Sequence, residues 1–227
     1  MSAAGANPVT IVVDDRTSVS GLLQVPPAAT ACFVLAHGAG AGMRHAFLET
    51  VAAELEQLRV ATLRYQFPYV ERQSRRPDPP ELCHATVRAA VAAAAIAAPG
   101  LPLFAGGKSF GGRMTSQAQA RSSLSGVQGL AFLGFPLHPA GKPSTTRAEH
   151  LVQVSVPLLF LQGTRDDLAD LTLIETVLAG LRPRATLRIF DQADHSFHVP
   201  ARSGRSDREV LGELAAAIRD WIDALVT

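Results

Sequence analysis

The chain has 227 residues, of which 47% are apolar and 18% are charged, and its 21 basic and 20 acidic residues leave a net charge of +1. A chain of this length buries enough apolar surface to fold as one domain without disulfide or metal support. The near-neutral charge supplies no overall field for nucleic acid or for an anionic membrane, so we expect neither as a partner. The two cysteines, Cys32 and Cys83, lack the spacing of zinc or redox sites.

No targeting or membrane segment is predicted. Residues 1–5 do not show the start of a secretory signal peptide, which has a basic segment followed by a long apolar run. Nowhere do about 18 strongly apolar residues run together, as a membrane helix requires. The Ala-rich stretch 89–98 is short and ends at Pro99-Gly100, which favours a packed helix. We therefore expect a cytoplasmic protein.

Short apolar runs alternate with longer helical patterns along the chain. The predicted strands are 9–13, 20–25, 32–36, 60–63, 101–105, 129–134, 157–162 and 185–190, the first two paired at one edge. The predicted helices are 44–58, 81–98, 110–121, 171–181 and 207–226, with an irregular Pro- and Arg-rich loop at 66–80. This alternation predicts an α/β fold with a mostly parallel central sheet covered by helices on both faces.

A Gly-x-Ser-x-Gly pattern places Ser109 between Gly107 and Gly111, after a predicted strand and before a predicted helix. This is the context of a nucleophile elbow, a sharp turn that lifts a serine hydroxyl above the sheet. Side chains two residues before or after the serine would collide with the neighbouring strands, so both positions need glycine. The pattern predicts Ser109 as a nucleophile, with a purely structural turn as the alternative.

Two nucleotide-binding interpretations of the glycines are disfavoured. Gly107-Lys108-Ser109 matches the end of a P-loop, but that motif needs glycine where this chain has Pro102. Glycines 38, 40 and 42 are spaced G-x-G-x-G, whereas a dinucleotide site needs G-x-G-x-x-G. We expect no organic cofactor.

A serine nucleophile needs a base, and the base needs an orienting acid. In the elbow fold the partners follow in the order serine, acid, histidine. Asp166 is the first carboxylate after the predicted strand 157–162, and His195 is the first histidine after 185–190. Asp167, whose other role would be to cap a helix, competes with Asp166. His198 competes with His195.

A metal site is the alternative interpretation of the second cluster. His195 and His198, with Asp191 and Asp194, contain ligand types that zinc accepts. Because we find no third strong ligand cluster elsewhere in the sequence, we expect no metal. The remaining histidines, His45, His84, His138 and His150, are expected to be solvated.

An acyl-transfer site also needs two N–H donors for the oxyanion. One predicted donor is the amide of Phe110, the residue after the nucleophile. The loop after strand 32–36 reads HGAGAG at 37–42, and its small residues let backbone amides approach a substrate. Ala39 is the predicted second donor, with Gly40 and Ala41 as alternatives.

Together these motifs resemble the α/β-hydrolase fold, and more narrowly a dienelactone-hydrolase-like branch of mostly unassigned activity that includes animal relatives found in a chromatin-modifying complex. The matching stretches are HGAGAGM (37–43), FPY (67–69), RRPDPP (75–80), GGKSFGGRM (106–114), GFPLHPAGKP (134–143), QGTRD (162–166) and DHSF (194–197). The resemblance implies a hydrolase of unspecified substrate. It implies a triad of Ser109, Asp166 and His195, with Ala39 and Phe110 as oxyanion donors.

Several residues are candidates for substrate binding. Lys108 places a cation beside the nucleophile, where esterases more usually carry small or acidic side chains. Further cations lie in or near loops at the carboxyl side of the predicted sheet: Arg44, Arg64, Arg75 and Arg76. We hypothesise that some of them select a carboxylate- or phosphate-bearing ester. The alternative is that they are solvated or paired with local acids. Lys108, Arg44 and Tyr69 are the leading candidates for substrate contact.

The connection from residue 134 to residue 157 is short and contains at most a small helix, so no large cap domain is expected. The sequence therefore predicts one α/β-hydrolase domain spanning 1–227, as a monomer or small homo-oligomer. It would cleave a small ester or thioester through an acyl-enzyme. The alternative, from another class, is a catalytically weak or inactive scaffold with the same fold.

Overall fold

Eight strands and six α-helices alternate along residues 5–226, the part of the chain that the computed structural model describes. The strands are β1 (Asn7–Asp14), β2 (Thr17–Gln24), β3 (Ala31–Ala36), β4 (Val60–Tyr65), β5 (Leu103–Lys108), β6 (Val127–Leu133), β7 (Leu158–Arg165) and β8 (Ala185–Asp194). The helices are α1 (Ala46–Gln57), α2 (Pro68–Glu71), α3 (Pro80–Ala97), α4 (Phe110–Arg121), α5 (Leu171–Ala179) and α6 (Asp207–Val226). The predicted absence of a signal peptide concerns residues 1–5, of which 1–4 lie outside the described residues.

All eight strands join one sheet in the order β1-β2-β4-β3-β5-β6-β7-β8. β1 and β2 form an antiparallel hairpin at one edge, and β2 is also antiparallel to β4. Every pairing from β4 to β8 is parallel. The predicted edge hairpin and mostly parallel sheet are confirmed. Because parallel strands end at the same side of the sheet, the loops after β3, β5, β7 and β8 meet there.

Helices cover both faces of the sheet. In β3, Cys32 and Val34 point into a core shared with α3, α4 and α5, while Phe33 and Leu35 point into a core shared with α1 and α6. We call these the α4 face and the α1 face. Strands buried on both sides need apolar residues at every position, which explains the unbroken apolar runs. The buried Cys32 thiol, whose pKa burial raises to about 12, is part of this core.

The last helix illustrates how the helical periodicity becomes packing. Val210, Leu214, Ile218 and Ile222 are spaced at three to four residues, and all four are buried on the α1 face. Trp221 adds an edge-to-face contact with Phe104. Burial of one such aliphatic side chain stabilises the fold by about 2 kcal/mol.

The structure differs from the predicted elements mainly at the ends of the strands. β5, β7 and β8 continue three or four residues beyond the predicted ends, to Lys108, Arg165 and Asp194. The apolar pattern stops earlier because these last residues approach the surface, but backbone pairing with the neighbouring strands continues. The predicted loop 66–80 contains the unpredicted helix α2, which begins with Pro68 at its first position.

No large cap lies over the carboxyl edge. The connection from β6 to β7 contains a 3₁₀ helix, Thr146–Gln153, as its longest helical element. Within residues 5–226, no helix combines the length and the hydropathy that crossing a bilayer requires. The Ala-rich stretch that was predicted as a packed helix lies in α3, where Ala90, Val91 and Ala94 are buried.

Candidate active site

Ser109, Asp166 and His195 each follow a strand directly, after β5, β7 and β8. The His195 Nε2 atom lies 2.8 Å from Ser109 Oγ, and its Nδ1 atom lies 2.7 Å from Asp166 Oδ2. These distances fit a serine hydroxyl that donates to the imidazole, which in turn donates to the carboxylate. The structure thus brings the three predicted residues together in one hydrogen-bonded array.

Backbone geometry at Ser109 is that of a strained elbow. Its backbone angles, φ of 50° and ψ of −117°, lie in a region that residues other than glycine rarely adopt. A Cβ atom at Gly107 would lie 2.4 Å from the carbonyl oxygen of Ala36, and one at Gly111 would lie 2.5 Å from that of His37. The turn therefore requires glycine on both sides of Ser109, for the reason that the motif analysis gave.

The Asp166 carboxylate is fully engaged and its side chain is wholly buried. Besides the contact with His195, Oδ2 accepts a hydrogen bond from Gln162 Nε2 at 2.5 Å, and Oδ1 accepts one from the Leu168 amide at 2.8 Å. Gln162 is held in turn by the Phe135 amide, which donates to its Oε1 atom at 3.1 Å. Donors on both oxygens fix the orientation of the carboxylate. The role of Gln162 was not predicted from the sequence.

The competing residues lie outside this array. Asp167 is exposed, and the cap that was assigned to it is wrong, because Asp170 caps α5. His198 is exposed and contacts Asp207 at 2.8 Å, which raises the pKa of the imidazole. The two histidines of the proposed metal patch therefore have separate partners. Among residues 5–226, no three His, Cys, Asp or Glu side chains form a cluster able to hold a metal ion.

The hydrogen bonds in the loop after β3 distinguish between the candidate oxyanion donors. The Gly40 amide donates to the Tyr69 hydroxyl at 2.9 Å, and the Ala41 amide donates to the Gly38 carbonyl at 3.2 Å. Within the described part of the chain, the Ala39 amide has no acceptor. The Phe110 amide is the first N–H of α4, a position without an intrahelical acceptor. The two predicted donors are therefore the ones left for a ligand.

A buried histidine at the head of this loop fixes its path. His37 Nδ1 donates to the Gly38 carbonyl at 2.7 Å, and Nε2 accepts from the Phe67 amide at 3.1 Å. Complete burial lowers the pKa of His37 to about 4, so the ring is neutral and Nε2 can accept. This role of His37 was not predicted from the sequence, although a histidine at the start of a glycine-rich loop was a visible signal.

A cavity of about 380 Å³ opens beside the array on the α1 face. Phe47, Leu48 and Leu168 form much of its apolar wall, and Ser109 and His195 lie at its reactive end. Of the three leading candidates for substrate contact, only Lys108 lines this cavity.

The other proposed substrate-contacting residues lie elsewhere. Arg44, Arg75 and Arg76 are exposed and do not line the cavity. Arg64 is buried, where it donates to the Met43 carbonyl at 3.3 Å. Tyr69 is fully buried behind the loop that carries Ala39, with its hydroxyl bonded to Gly40.

Lys108 connects the elbow to the segment that carries His195. Its Nζ atom donates to the backbone carbonyl of His195 at 2.5 Å and lies 5.7 and 5.6 Å from the ring centres of Phe47 and Phe197. A Cβ atom at Gly134 would lie 3.0 Å from this ammonium, so glycine leaves the space that it occupies. Burial lowers the pKa of Lys108 to about 8, although the carboxylates of Asp166 and Asp194 oppose the shift.

Two histidines that were expected to be solvated are buried. His84 is 5% exposed and His138 is 4% exposed. His138 Nε2 accepts from the Asp170 amide at 2.9 Å, which ties the segment after β6 to the start of α5. The expectation of solvated side chains was wrong here because α3 packs His84 against Gln117 of α4 and the segment before α5 covers His138, and the sequence does not show such packing.

The strand order, the elbow and the Ser–His–Asp array define an α/β-hydrolase fold. The chain belongs to the α/β hydrolase domain family, whose sequence model matches residues 29–223.

Solved structures similar over nearly the whole chain agree on the fold. A dienelactone hydrolase from Anabaena variabilis is 22% identical, with a TM-score of 0.78 and 99% of both chains covered. An α/β serine hydrolase without a lid from Xanthomonas campestris is 21% identical, with a TM-score of 0.74 and 96% of this chain and 95% of that chain covered. An esterase domain from Rhodothermus marinus is 16% identical, with a TM-score of 0.74 and 97% and 99% covered.

Proposed function

We propose that this protein is a serine hydrolase that cleaves a small ester or thioester through an acyl-enzyme. The observation that carries the proposal is the hydrogen-bonded array of Ser109, His195 and Asp166, with contacts of 2.8 and 2.7 Å. The backbone amides of Ala39 and Phe110, neither of which has an acceptor in the described part of the chain, are the donors that would meet the second requirement of acyl transfer. Dienelactone hydrolase and esterase, the activities named for similar structures, are both ester cleavages.

In the proposed reaction, Ser109 Oγ attacks the acyl carbon while His195 Nε2 accepts the hydroxyl proton. The bond from the acyl carbon to the leaving oxygen or sulfur then breaks, and His195 returns the proton to that atom. A water molecule attacks the acyl-enzyme with His195 again as the base. Its oxygen joins the acyl carbon, and Ser109 Oγ recovers a proton as the acid is released.

Asp166 and the two amides stabilise charge at different points of this reaction. Asp166 fixes the tautomer that leaves Nε2 free to accept, and it stabilises the imidazolium that forms. The amides of Ala39 and Phe110 would bind the oxyanion of each tetrahedral intermediate. Loss of one such donor typically lowers the rate by about 10²–10³.

The dimensions of the site favour small acyl groups. The cavity beside Ser109 measures about 380 Å³, near the lower end of ligand pockets. Because no large cap covers it, the remainder of the substrate can extend into solvent. Lys108 supplies the ammonium group in its wall.

Labelling with a fluorophosphonate probe tests the proposal. We expect covalent modification of the wild type and none of Ser109→Ala. Ser196→Ala is the matched control, because Ser196 is exposed and lines the same cavity but has no histidine contact, and it should label like the wild type. The wild type and Ser196→Ala should also hydrolyse p-nitrophenyl butyrate and a butanoyl thioester, whereas Ser109→Ala should not. A folded wild type without Ser109-dependent labelling would favour the scaffold alternative instead.

A further inference from the structure

A second polar region borders Ser109 on the α4 face. Arg113 lies one helical turn after the nucleophile, about 6 Å along the axis, and its amide donates to the Ser109 carbonyl at 3.1 Å. The centre of its guanidinium lies 5.9 Å from the ring centre of Phe110. The charge therefore lies against the residue whose amide is a candidate oxyanion donor.

Arg147 approaches from the 3₁₀ helix Thr146–Gln153. With three residues per turn, Arg147 and His150 lie on the same side of that helix. His150 Nε2 is 2.7 Å from Ser116 Oγ, so this side faces α4. Ser116 lies three residues after Arg113, on the same side of α4. The side of the 3₁₀ helix that carries Arg147 thus faces the side of α4 that carries Arg113, and the Arg147 guanidinium donates to the Pro136 carbonyl at 3.4 Å. We call Arg113 and Arg147 the arginine pair.

The arginine pair has no counter-ion in the protein. Among residues 5–226, no carboxylate oxygen lies within 4.0 Å of either guanidinium. The Nε atom of Arg113 is buried without a hydrogen-bond partner. The neighbouring thiol of Cys83, whose pKa is raised to about 12 mainly by burial, supplies no negative charge at neutral pH.

The surrounding electrostatics agree with an excess of positive charge. Burial and, after it, the charge of Arg147 lower the pKa of Arg113. Burial and then the charges of Arg113 and His84 lower the pKa of His150 to about 4. Like charges held together and partly desolvated disfavour the folded state unless an anion neutralises them. Such a cluster beside a nucleophile has the character of an anion-binding site.

The cavity opens against the start of α1, whereas the arginine pair lies beside α4. Phe47 and Leu48 of α1 line the cavity, whereas Arg113 belongs to α4. Ser109 lies between the two regions, at the end of β5. Because Arg113 lies one helical turn after Ser109, binding at the arginine pair requires a substrate that extends from Ser109 out of the cavity towards α4.

We propose that Arg113 and Arg147 bind an anionic group, a carboxylate or a phosphate, on the part of the substrate that lies outside the cavity. Guanidinium groups present planar pairs of N–H donors that match both kinds of anion. The site differs from the exposed arginines that the sequence suggested, and it rests on the proposed function for its connection to a substrate. The class of substrate would be an anionic ester or thioester.

Direct binding tests the site without requiring turnover. Glutarate and coenzyme A, as carboxylate and phosphate probes, are titrated by calorimetry into the wild type, Arg113→Met and Arg147→Met. Methionine retains much of the apolar stem and removes the charge. Arg16→Met, an exposed arginine at the β1–β2 turn, is the charge-matched control. We expect at least one probe to bind, with affinity about tenfold lower or worse in each pair variant and unchanged in the control.

Two results would overturn the site: neither probe binding to the wild type at about 10 mM, or equal affinity in all four proteins. Thermal unfolding of each variant checks that it folds. Arg113→Lys, which keeps the charge but loses the planar donors, should bind with intermediate affinity. The proposed function fails separately, by absence of labelling at Ser109, because the titrations do not depend on it. The probe that binds identifies a carboxylate or a phosphate as the recognised group.

Discussion

Asp166 and Asp167 are neighbours in the sequence but have opposite surroundings. The side chain of Asp166 is wholly buried against His195 and Gln162, whereas Asp167 is exposed. Motif order alone favoured Asp166 without excluding its neighbour. The difference arises where β7 ends, because only the first residue after the strand points towards the segment after β8.

Amide substitution at these two positions tests the assignment. Asp166→Asn keeps the shape but offers an NH₂ group to an imidazole that must donate, so the tautomer at His195 changes. We expect hydrolysis and fluorophosphonate labelling to fall by about 10³–10⁴. Asp167→Asn is the matched control and should keep wild-type rates. Equal losses in the two variants, or full activity in Asp166→Asn, would contradict the assignment.

The buried ammonium of Lys108 gives a second prediction at the residue scale, which concerns how the stability of the folded protein changes with pH. Its pKa is about 8 in the folded protein, below the usual 10.5. The unfolded chain therefore binds more protons between pH 8 and 10.5, so the wild type gains stability as pH rises through that window. Relative to Lys108→Met, it should gain about 2 kcal/mol between about pH 7 and pH 9.5.

Urea unfolding of both proteins at the two pH values measures this gain. Lys108→Met should also label more slowly at neutral pH, because the His195 carbonyl loses its donor. A stability difference that does not change with pH would show that the ammonium is well hydrated in the folded protein. Arg188→Met, an exposed cation on β8, controls for loss of charge alone.

At the scale of elements, the oxyanion loop depends on helix α2. The Tyr69 hydroxyl of α2 accepts the Gly40 amide, while His37 bonds the Phe67 amide just before that helix. Rings of Phe67, Tyr69 and Phe110 pack edge to face or stacked around these contacts. Residues that follow β4 therefore hold the loop after β3 in place, and β4 is the strand next to β3 in the sheet.

Tyr69→Phe should loosen this arrangement by removing the hydroxyl, and because the ring remains it should not leave a cavity in the core. Freed from the hydroxyl, the Gly40 amide no longer fixes the turn, and the Ala39 donor loses its position. We expect about a tenfold fall in kcat and in the labelling rate, with stability lowered by about 1 kcal/mol. Tyr65→Phe is the control, since Tyr65 is the chain's other tyrosine and is also buried. If the two variants lose the same activity, Tyr69 acts on stability alone.

At the scale of the whole molecule, two neutral histidines set the response to acid: His37, which is buried, and His150, which is half-buried. The pKa values of His37 and His150 are about 4 in the folded protein, mainly through burial, against 6.5 ordinarily. Because the unfolded chain binds more protons between these values, stability is retained above pH 6.5 and is lost as pH falls towards 4. The fully buried His37 should contribute a loss on the order of 2 kcal/mol, and the half-buried His150 a smaller one because solvent screens it.

Urea midpoints at about pH 7 and pH 4.5 measure this loss, and His150→Gln should reduce it. His198 is the control, because Asp207 raises its pKa and gives a contribution of opposite sign. His198→Gln should therefore leave the acid-induced loss undiminished. An unchanged midpoint of the wild type between the two pH values would contradict the prediction.

Local sequence pattern was enough to predict most of the strands and helices and the three residues of the array. Alternating apolar runs require buried parallel strands, and the Gly-x-Ser-x-Gly spacing requires an elbow, because both follow from local sterics and periodicity. Chain order then points to Asp166 and His195. Helix α2 and the full lengths of β5, β7 and β8 were missed, since these depend on neighbouring strands rather than on local pattern.

The packing of the elements fixed which groups meet across loops. It distinguished Ala39 from Gly40 through Tyr69, connected Lys108 to the His195 carbonyl, and brought Arg147 opposite Arg113. Each of these contacts joins segments at least 29 residues apart in the chain. Such contacts leave no periodic trace in the sequence, because the position of a polar side chain in a loop depends on the packing of the elements on either side.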